Sequence, residues 1–388
     1  MATDTTLPAA ATEDRHETSL HALVREAERQ LIICNACRYC EGLCAVFPAL
    51  ERRTVLGTGD VLQLANLCHD CRACYDACMY APPHEFAINP PAILSAARLQ
   101  SYQRYLWPRR VPRLFRGRIG VFTGMVLATI FCIAIAWVTS GPEALFRGPA
   151  NGAYSPYEVI PYEPFFLMGL LPAVFAAVIT YLAGRAYWRE IGGRPAGAGR
   201  VVPLLKAIWH SMALTNQRGG GADCHYPRDD KPSPARRRLH ITLVAGYGLC
   251  VVSTLSAAFL QDILHIDPPY PVLSVPVLSG TLGGIGITIG CIGLVMLKKD
   301  SSEATSVAEM NIKDYGLLSA LFFLATTGLF TLMVRATAAY PLVLVIHMAS
   351  VMLFTAMAPY SKLIHAVFRF QALVRDEMEA AAEQARRR

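Results

Sequence analysis

Six uncharged apolar stretches leave this chain few ways to fold: 119–139, 164–184, 239–260, 274–297, 315–334 and 340–361. Each has about 20 residues or more, the helical length that crosses a hydrocarbon core. None holds a Lys, Arg, Asp or Glu, and charge marks their ends at Arg118, Arg185, Arg238, Asp262, Lys298, Arg335 and Lys362. Backbone groups in lipid have no water to bond, so each stretch reads as a helix. The expectation is a six-helix transmembrane bundle over 107–361 with a long loop at 185–238.

The positive charges between the stretches set its orientation. Segments 98–118, 185–238, 298–313 and 362–388 carry 27 Lys and Arg, against 2 in the alternate segments. Both termini are therefore expected in the cytoplasm, with the bundle in the inner (cytoplasmic) membrane. This asymmetry accounts for the net charge of +7, and no motif supports a nucleic-acid partner. Asp4, Glu13, Asp14, Glu17, Glu26 and Glu28 exclude a signal peptide at the start of the chain.

Eight of the twelve cysteines lie between Cys34 and Cys78 in two matched runs. Cys34, Cys37, Cys40 and Cys44 repeat, spacing for spacing, as Cys68, Cys71, Cys74 and Cys78. This is the C-x2-C-x2-C-x3-C run of two-cluster ferredoxins, in which three thiolates wrap one cubane and the fourth reaches the other. Cys34, Cys37, Cys40 and Cys78 are thus assigned to one [4Fe–4S] cluster, and Cys68, Cys71, Cys74 and Cys44 to the second. The proline that commonly follows the fourth cysteine is replaced by Ala45 and Met79, with Pro48 and Pro82 three residues on. Two runs of four fit a closed zinc site poorly, and a cytoplasmic segment disfavours disulfides. Cys132, Cys250 and Cys291 lie inside apolar stretches as small apolar residues. Cys224 in a Gly-rich loop is a weak candidate for a redox or metal contact.

The fold class is mainly α: a cytoplasmic two-[4Fe–4S] ferredoxin-like α domain at 26–106, then the membrane bundle, then a cytoplasmic helix at 362–388. Residues 1–25 read as a disordered tail. Asn89-Pro90-Pro91 is a helix start with Asn as cap, followed by an amphipathic helix over 92–106. A short helix is expected at 204–215, and 362–388 should continue the last span as a surface helix.

Histidines within or beside the spans are functional candidates. His347 and His365 are 18 residues apart, five whole turns and about 27 Å along one helix face. His240 opens the third span, and His265 follows 25 residues later, about 20° from the same face if the helix continues past Asp262. The two spans run in opposite senses, so His240 can face His365 on the cytoplasmic side and His347 can face His265 nearer the outside. Paired histidines on facing helices bind b-type haem, giving one or two haems. His210 is a weaker substitute partner. The Gly280–Gly286 stretch lacks the spacing and context of a nucleotide loop, and close helix packing is the better account.

Taken with the cysteine runs, Pro82-Pro83-His84-Glu85-Phe86, Asn89-Pro90-Pro91, Cys224-x-Tyr226-Pro227, Arg236-Arg237-Arg238-Leu239-His240 and His347…Pro359-Tyr360-Ser361-Lys362…His365 carry a family resemblance. The chain resembles the tricarballylate (citrate) utilization protein B family over about residues 30–370. Its last motif is also similar to the haem-bearing membrane subunit of respiratory nitrate reductase. There a second pair lies ten residues apart, whereas here Cys250 stands ten residues after His240. The resemblance implies an electron-transfer subunit that re-oxidises the flavin of a partner flavoprotein, tricarballylate dehydrogenase, which turns tricarballylate into cis-aconitate. Electrons would pass through the clusters and haem b to the membrane quinone, in support of tricarballylate and citrate utilisation. The chain itself carries no flavin or nicotinamide motif and no substrate-oxidising set of its own. Rival readings are the electron-transfer part of a heterodisulfide or sulfur-compound reductase, whose Cys-Cys-Gly motifs are missing, and a redox-sensing membrane protein.

Overall fold

The protein is described by a computed structural model covering residues 9–109, 111, 117–146, 152–195, 199, 201–221, 224–226, 231–301 and 303–387, with 9–18, 117–118, 219–221, 224–226 and 231–232 described by backbone alone. It is helical throughout apart from a two-stranded antiparallel ribbon, β1 (Cys224–Tyr226) against β2 (Lys231–Ser233). The head is built from α1 (Ala9–Cys37), α2 (Val46–Glu51), α3 (Thr58–Leu67), α4 (Ala73–Asp76) and α5 (Pro90–Arg104). Residues 1–8 of the expected tail lie outside the described residues. From Ala9 onward the expected disorder gives way to helix, because Leu20, Val24, Ala27 and Leu31 recur at helical spacing and are buried against the head.

The centre of the head is α3, in which every residue from Val61 to Leu67 is buried. Its polar members are bonded in part: the Asn66 amide donates to the Leu62 carbonyl at 2.9 Å and to the Ser101 hydroxyl at 3.1 Å, and Gln63 Oε1 accepts from Arg53 at 2.8 Å. α5 starts as the sequence indicates, with the Asn89 side chain accepting from the Ala92 N–H at 3.2 Å and Pro90 and Pro91 in the first turn.

Six helices are long and apolar enough to cross a membrane, making this a multi-pass membrane protein: α6 (Gly117–Ser140), α7 (Tyr162–Glu190), α9 (Ala235–Asp262), α10 (Val275–Lys299), α11 (Ala308–Met333) and α12 (Tyr340–Met357). The expected short helix is α8 (Val201–Ala213). Neighbouring pairs are α9 with α10, α10 with α11, α11 with α12, and α12 with both α6 and α7. The glycines of α10 permit the closest of these contacts. A Cβ at Gly246 would stand 2.7 Å from the Gly283 carbonyl oxygen and 2.8 Å from the Ile287 nitrogen, and one at Gly283 would meet the Cys250 sulfur at 2.7 Å.

The last span does not continue as expected. After α12 the chain passes through a short 3-10 turn to Ser361, which is extended (ψ 179°), and a new helix, α13 (His365–Arg387), begins. Pro359 is part of the reason, since it removes a helical N–H. Nor is α13 a surface helix: Phe368, Ala372, Leu373, Val374, Met378 and Ala382 are buried in one core with α1, α3 and α5. Phe368 stacks on Tyr187 at 4.6 Å and meets Tyr105 edge-on at 5.9 Å and Tyr102 at 6.0 Å, so the end of α7, α5 and α13 are joined by one aromatic cluster.

Ion pairs reinforce this joint. Arg53, 8% exposed, pairs with Asp60 at 2.9 Å and with Glu379 of α13 at 2.8 Å, while Arg52 pairs with Asp376. Removing one partner of a buried pair typically costs ~3–5 kcal/mol, because the other charge is stranded. Arg53→Ala should therefore speed hydrogen exchange along 365–387, whereas Arg387→Ala, which breaks an exposed pair with Glu383, should leave it unchanged. In the bundle, Gly246→Val should lower the folded yield and thermal stability in detergent, by ~1–3 kcal/mol on the scale of overpacked cores. Gly248→Val is the control, since a Cβ there meets nothing within 4 Å.

Candidate functional site

The two cysteine runs form loops at one end of the head, and the structure interleaves them. Cys34 faces Cys78, Cys40 and Cys37, and Cys40 faces Cys78 and Cys37. All four line one cavity, walled by Ile33, Phe47, Tyr80 and Ile88. Cys44 faces Cys71 and Cys68, and Cys74 faces Cys68, Cys44 and Cys71. The fourth cysteine of each run thus stands with the first three of the other. Cys74 also neighbours Cys40, so the two sets are adjacent.

Local backbone explains the exchange. After Cys44 the chain enters α2 directly through Ala45 in a helical conformation (φ −64°, ψ −18°), without the usual proline. The Val46 and Phe47 N–H groups of that first turn bond the Cys44 sulfur. The Asp70 N–H reaches the Cys68 sulfur at 3.4 Å. Arg72 takes a left-handed conformation (φ 68°) that turns the chain between Cys71 and Cys74. Burial, and then the neighbouring thiols, push the Cys34 thiol up to about 12 and the Cys40 thiol to about 11. Thiols that resist ionisation so strongly are offset by binding positive metal, which releases their protons.

Among the described residues no three His, Cys, Asp or Glu groups lie close enough to share a single metal ion. The first set lines a shared cavity instead, and the thiols of the second are gathered side by side, as a polynuclear iron–sulfur group requires. The sets differ in setting. Cys37 of the first is exposed, whereas Cys68 and Cys71 of the second are each 8% exposed.

The second loop rests on α13, α5 and the first turn of the membrane helix α9. Arg369 of α13 donates to the Cys68 carbonyl at 2.8 Å and to the Asn66 carbonyl at 3.2 Å. Arg98 of α5 donates to the same Cys68 carbonyl, and Arg236 at the start of α9 donates to the carbonyl of Asp70. Between them His69 is buried, its Nδ1 bonded to the Leu67 carbonyl at 2.8 Å, and burial followed by the charge of Arg369 holds its pKa well below the ordinary value. Sequence reasoning missed this set. Arg236 and Arg369 read there as orientation charge, and the alternation of His69 and Asp70 with cysteines was the only available signal.

His240 and His365 lie next to this loop and near one another, since each is close enough to Arg369, and His365 to His240, for their charges to interact. His365 is the first residue of α13, and its Nδ1 bonds the Lys362 carbonyl at 2.6 Å. A carbonyl only accepts, so Nδ1 carries the proton and Nε2 keeps its lone pair. Burial, then Arg369 and Lys362, lower its pKa to about 3, keeping the ring neutral. His240 is half-buried, with an enclosed Nδ1 that has no hydrogen-bond partner among the described residues.

His347 lies on α12, ten residues before Met357 and hence about 15 Å of helix away from its end. Its Nδ1 is 3.1 Å from Thr327 Oγ1, whose own proton goes to the Phe323 carbonyl at 2.8 Å. Nδ1–H therefore donates to Thr327 and Nε2 is again the free lone pair. The break at Ser361 means that His347 and His365 do not share a continuous helix face, contrary to the 18-residue argument. His265 is displaced further. α9 ends at Asp262, and His265 sits on an exposed turn with φ 53°, so the premise that aligned it with His240 fails. His210 is engaged elsewhere, with Thr215 at 2.6 Å and Glu377 at 3.4 Å. The side chain of Cys224 lies outside the described residues.

Comparison with known proteins agrees with this layout. A family profile described as Citrate utilization protein B matches residues 119–386, and one described as Citrate utilization protein B Fer4-like domain matches 27–104. The chain is 36% identical over 358 residues to Citrate utilization protein B of Escherichia coli, covering 91% of this chain and 92% of that one. No solved structure matches. The eight cysteines of the Fer4-like domain are consistent with two [4Fe–4S] clusters, and six apolar helices follow them. The chain is a membrane protein with an iron–sulfur, ferredoxin-like head, and it belongs to the citrate utilization protein B family.

Proposed function

We propose that this protein conducts electrons from a flavoprotein dehydrogenase, docked on the cytoplasmic face, to quinone in the inner membrane. In this reading Cys34, Cys37, Cys40 and Cys78 hold one [4Fe–4S] cluster and Cys68, Cys71, Cys74 and Cys44 the other. His240 and His365 hold a b-type haem, and His347 offers a further Nε2 deeper in the bundle, the place of a second haem. Both termini are cytoplasmic, as the distribution of Lys and Arg indicates. The partner is tricarballylate dehydrogenase by family resemblance, which also points to tricarballylate utilisation, and the name of the Escherichia coli relative points to citrate utilisation.

One observation carries the reading. The loop bearing Cys68 and Cys71 is hydrogen-bonded, through Arg369 and Arg236, to the two helices that carry His365 and His240 near their N-terminal ends. Bound clusters and haem supply one-electron transfer, which the side chains cannot perform alone. The chain's residues contribute position and environment. The exposed Cys37 brings the first set to the surface, the buried second loop excludes water, and the Lys362 and Thr327 contacts aim imidazole lone pairs into the bundle.

Protein purified in detergent should contain about eight non-haem irons and show a b-type spectrum on dithionite reduction. Iron and sulfide without haem would reduce the protein to a ferredoxin on a membrane anchor and overturn the route to quinone. Cys44→Ser should lower the iron to about four per chain and stop haem reduction by reduced flavoprotein. His365→Ala should lower the haem content while leaving iron–sulfur content intact. Unchanged haem in that variant would remove His365 from the ligand set.

A further inference from the structure

Around the second cysteine loop the structure gathers four guanidinium groups, from Arg72, Arg98, Arg236 and Arg369, and among the described residues the carboxylate paired with them is Asp70, at 3.8 Å from Arg72 and 4.0 Å from Arg236. Among the described residues neither Arg98 nor Arg369 forms an ion pair. Arg98 is 4% exposed, and the Nε atoms of Arg98 and Arg72 are buried without a hydrogen-bond partner. The nearest other carboxylate below the loop, Asp314, is already shared by Lys298 and Lys362. Buried cations in such excess are costly unless an anion lies among them. The first loop has no counterpart. Its Cys37 and Arg38 are exposed, and Glu41, Asp76 and Glu85 around it are exposed as well.

Burial has a consequence for electron flow. Adding an electron makes an iron–sulfur group with four thiolates more negative, and a site removed from water resists that charge. Left to burial alone, the inner cluster would be harder to reduce than the exposed outer one, and transfer toward the membrane would run uphill. Cations at a buried site are little screened, so they act strongly on the same charge.

Resting on the two-cluster reading above, we propose that Arg369, with Arg98 and Arg236, is a positioning residue that raises the reduction potential of the cluster held by Cys44, Cys68, Cys71 and Cys74 above that of the cluster held by Cys34, Cys37, Cys40 and Cys78. The electron lost by the outer cluster is the one gained by the inner, so the transfer balances with no proton or further reactant. The same three side chains clamp the loop to α5, α9 and α13, which joins potential and position in one contact.

The test is a redox titration of the full-length protein in detergent, followed by electron paramagnetic resonance of the two cluster signals. Arg369→Gln keeps a hydrogen-bond donor but removes the charge. It should lower the inner potential by about 59 mV or more, a tenfold change in a one-electron equilibrium, and leave the outer potential in place. Arg369→Lys should restore most of the difference. An Arg369→Gln protein with full iron content and both potentials unchanged would overturn the proposal. So would Arg369→Lys shifting as far as Arg369→Gln, since geometry and not charge would then be responsible. If Arg369→Gln loses iron, Arg236→Gln, at the partly exposed edge of the set, decides by the same criterion. Wild-type protein lacking iron would defeat the two-cluster reading itself, a result distinct from any of these.

Discussion

Cys68 offers its carbonyl to two guanidinium groups at once, Arg98 from α5 and Arg369 from α13. Asp70, two residues on, offers its carbonyl to Arg236 of α9. These bonds make one short loop the meeting point of the head, the third span and the C-terminal helix. Hydrogen bonds from charged donors are stronger than neutral ones, and here they are shielded from water. The remainder of the architecture serves this point. The aromatic contact of Phe368 with Tyr187 and Tyr105 fixes α13 against α5 and α7, and Arg52 and Arg53 fix its far end to the head.

The same loop gives the head a direction. Its first cysteine set opens to solvent at Cys37, and its second is enclosed between α3, α5 and the membrane helices. A donor in solution can reach only the first, whereas the lipid-embedded part of the protein lies behind the second. The interleaving of Cys44 and Cys78 holds the two sets side by side, so no long gap interrupts the series. Beneath it, His240 and His365 continue the line, with His347 further down α12.

Much of this was legible in the chain because it rests on local pattern. Charge-free length determined the six spans, and thiol spacing predicted which cysteine leaves its own run for the other. Asn89 before two prolines marked the start of α5. What was not legible depended on tertiary contact or on a break in regular helix. Counting 100° per residue placed His347 and His365 on one face, but Ser361 is extended and the count does not cross it. It placed His265 under His240, but α9 stops at Asp262. The buried face of α13 was hidden because Arg369 looks solvent-facing in sequence, and its partners lie some 300 residues away in Asn66 and Cys68. Arg236 entered the sequence reading in the charge count of 185–238 and in a family motif, and its hydrogen bond to the cysteine loop, 166 residues away, had no local signal.

In the proposed route electrons move inward in sequence: exposed cluster, enclosed cluster, haem, quinone. Rapid freeze-quench spectroscopy of the whole protein in lipid vesicles, mixed anaerobically with a reduced flavoprotein and a quinone, observes that order directly. The account predicts that the outer cluster signal rises first and the inner next, with haem reduction following and quinone consumed last. Haem reduced ahead of the inner cluster, or quinone reduced while both clusters stay oxidised, would contradict it.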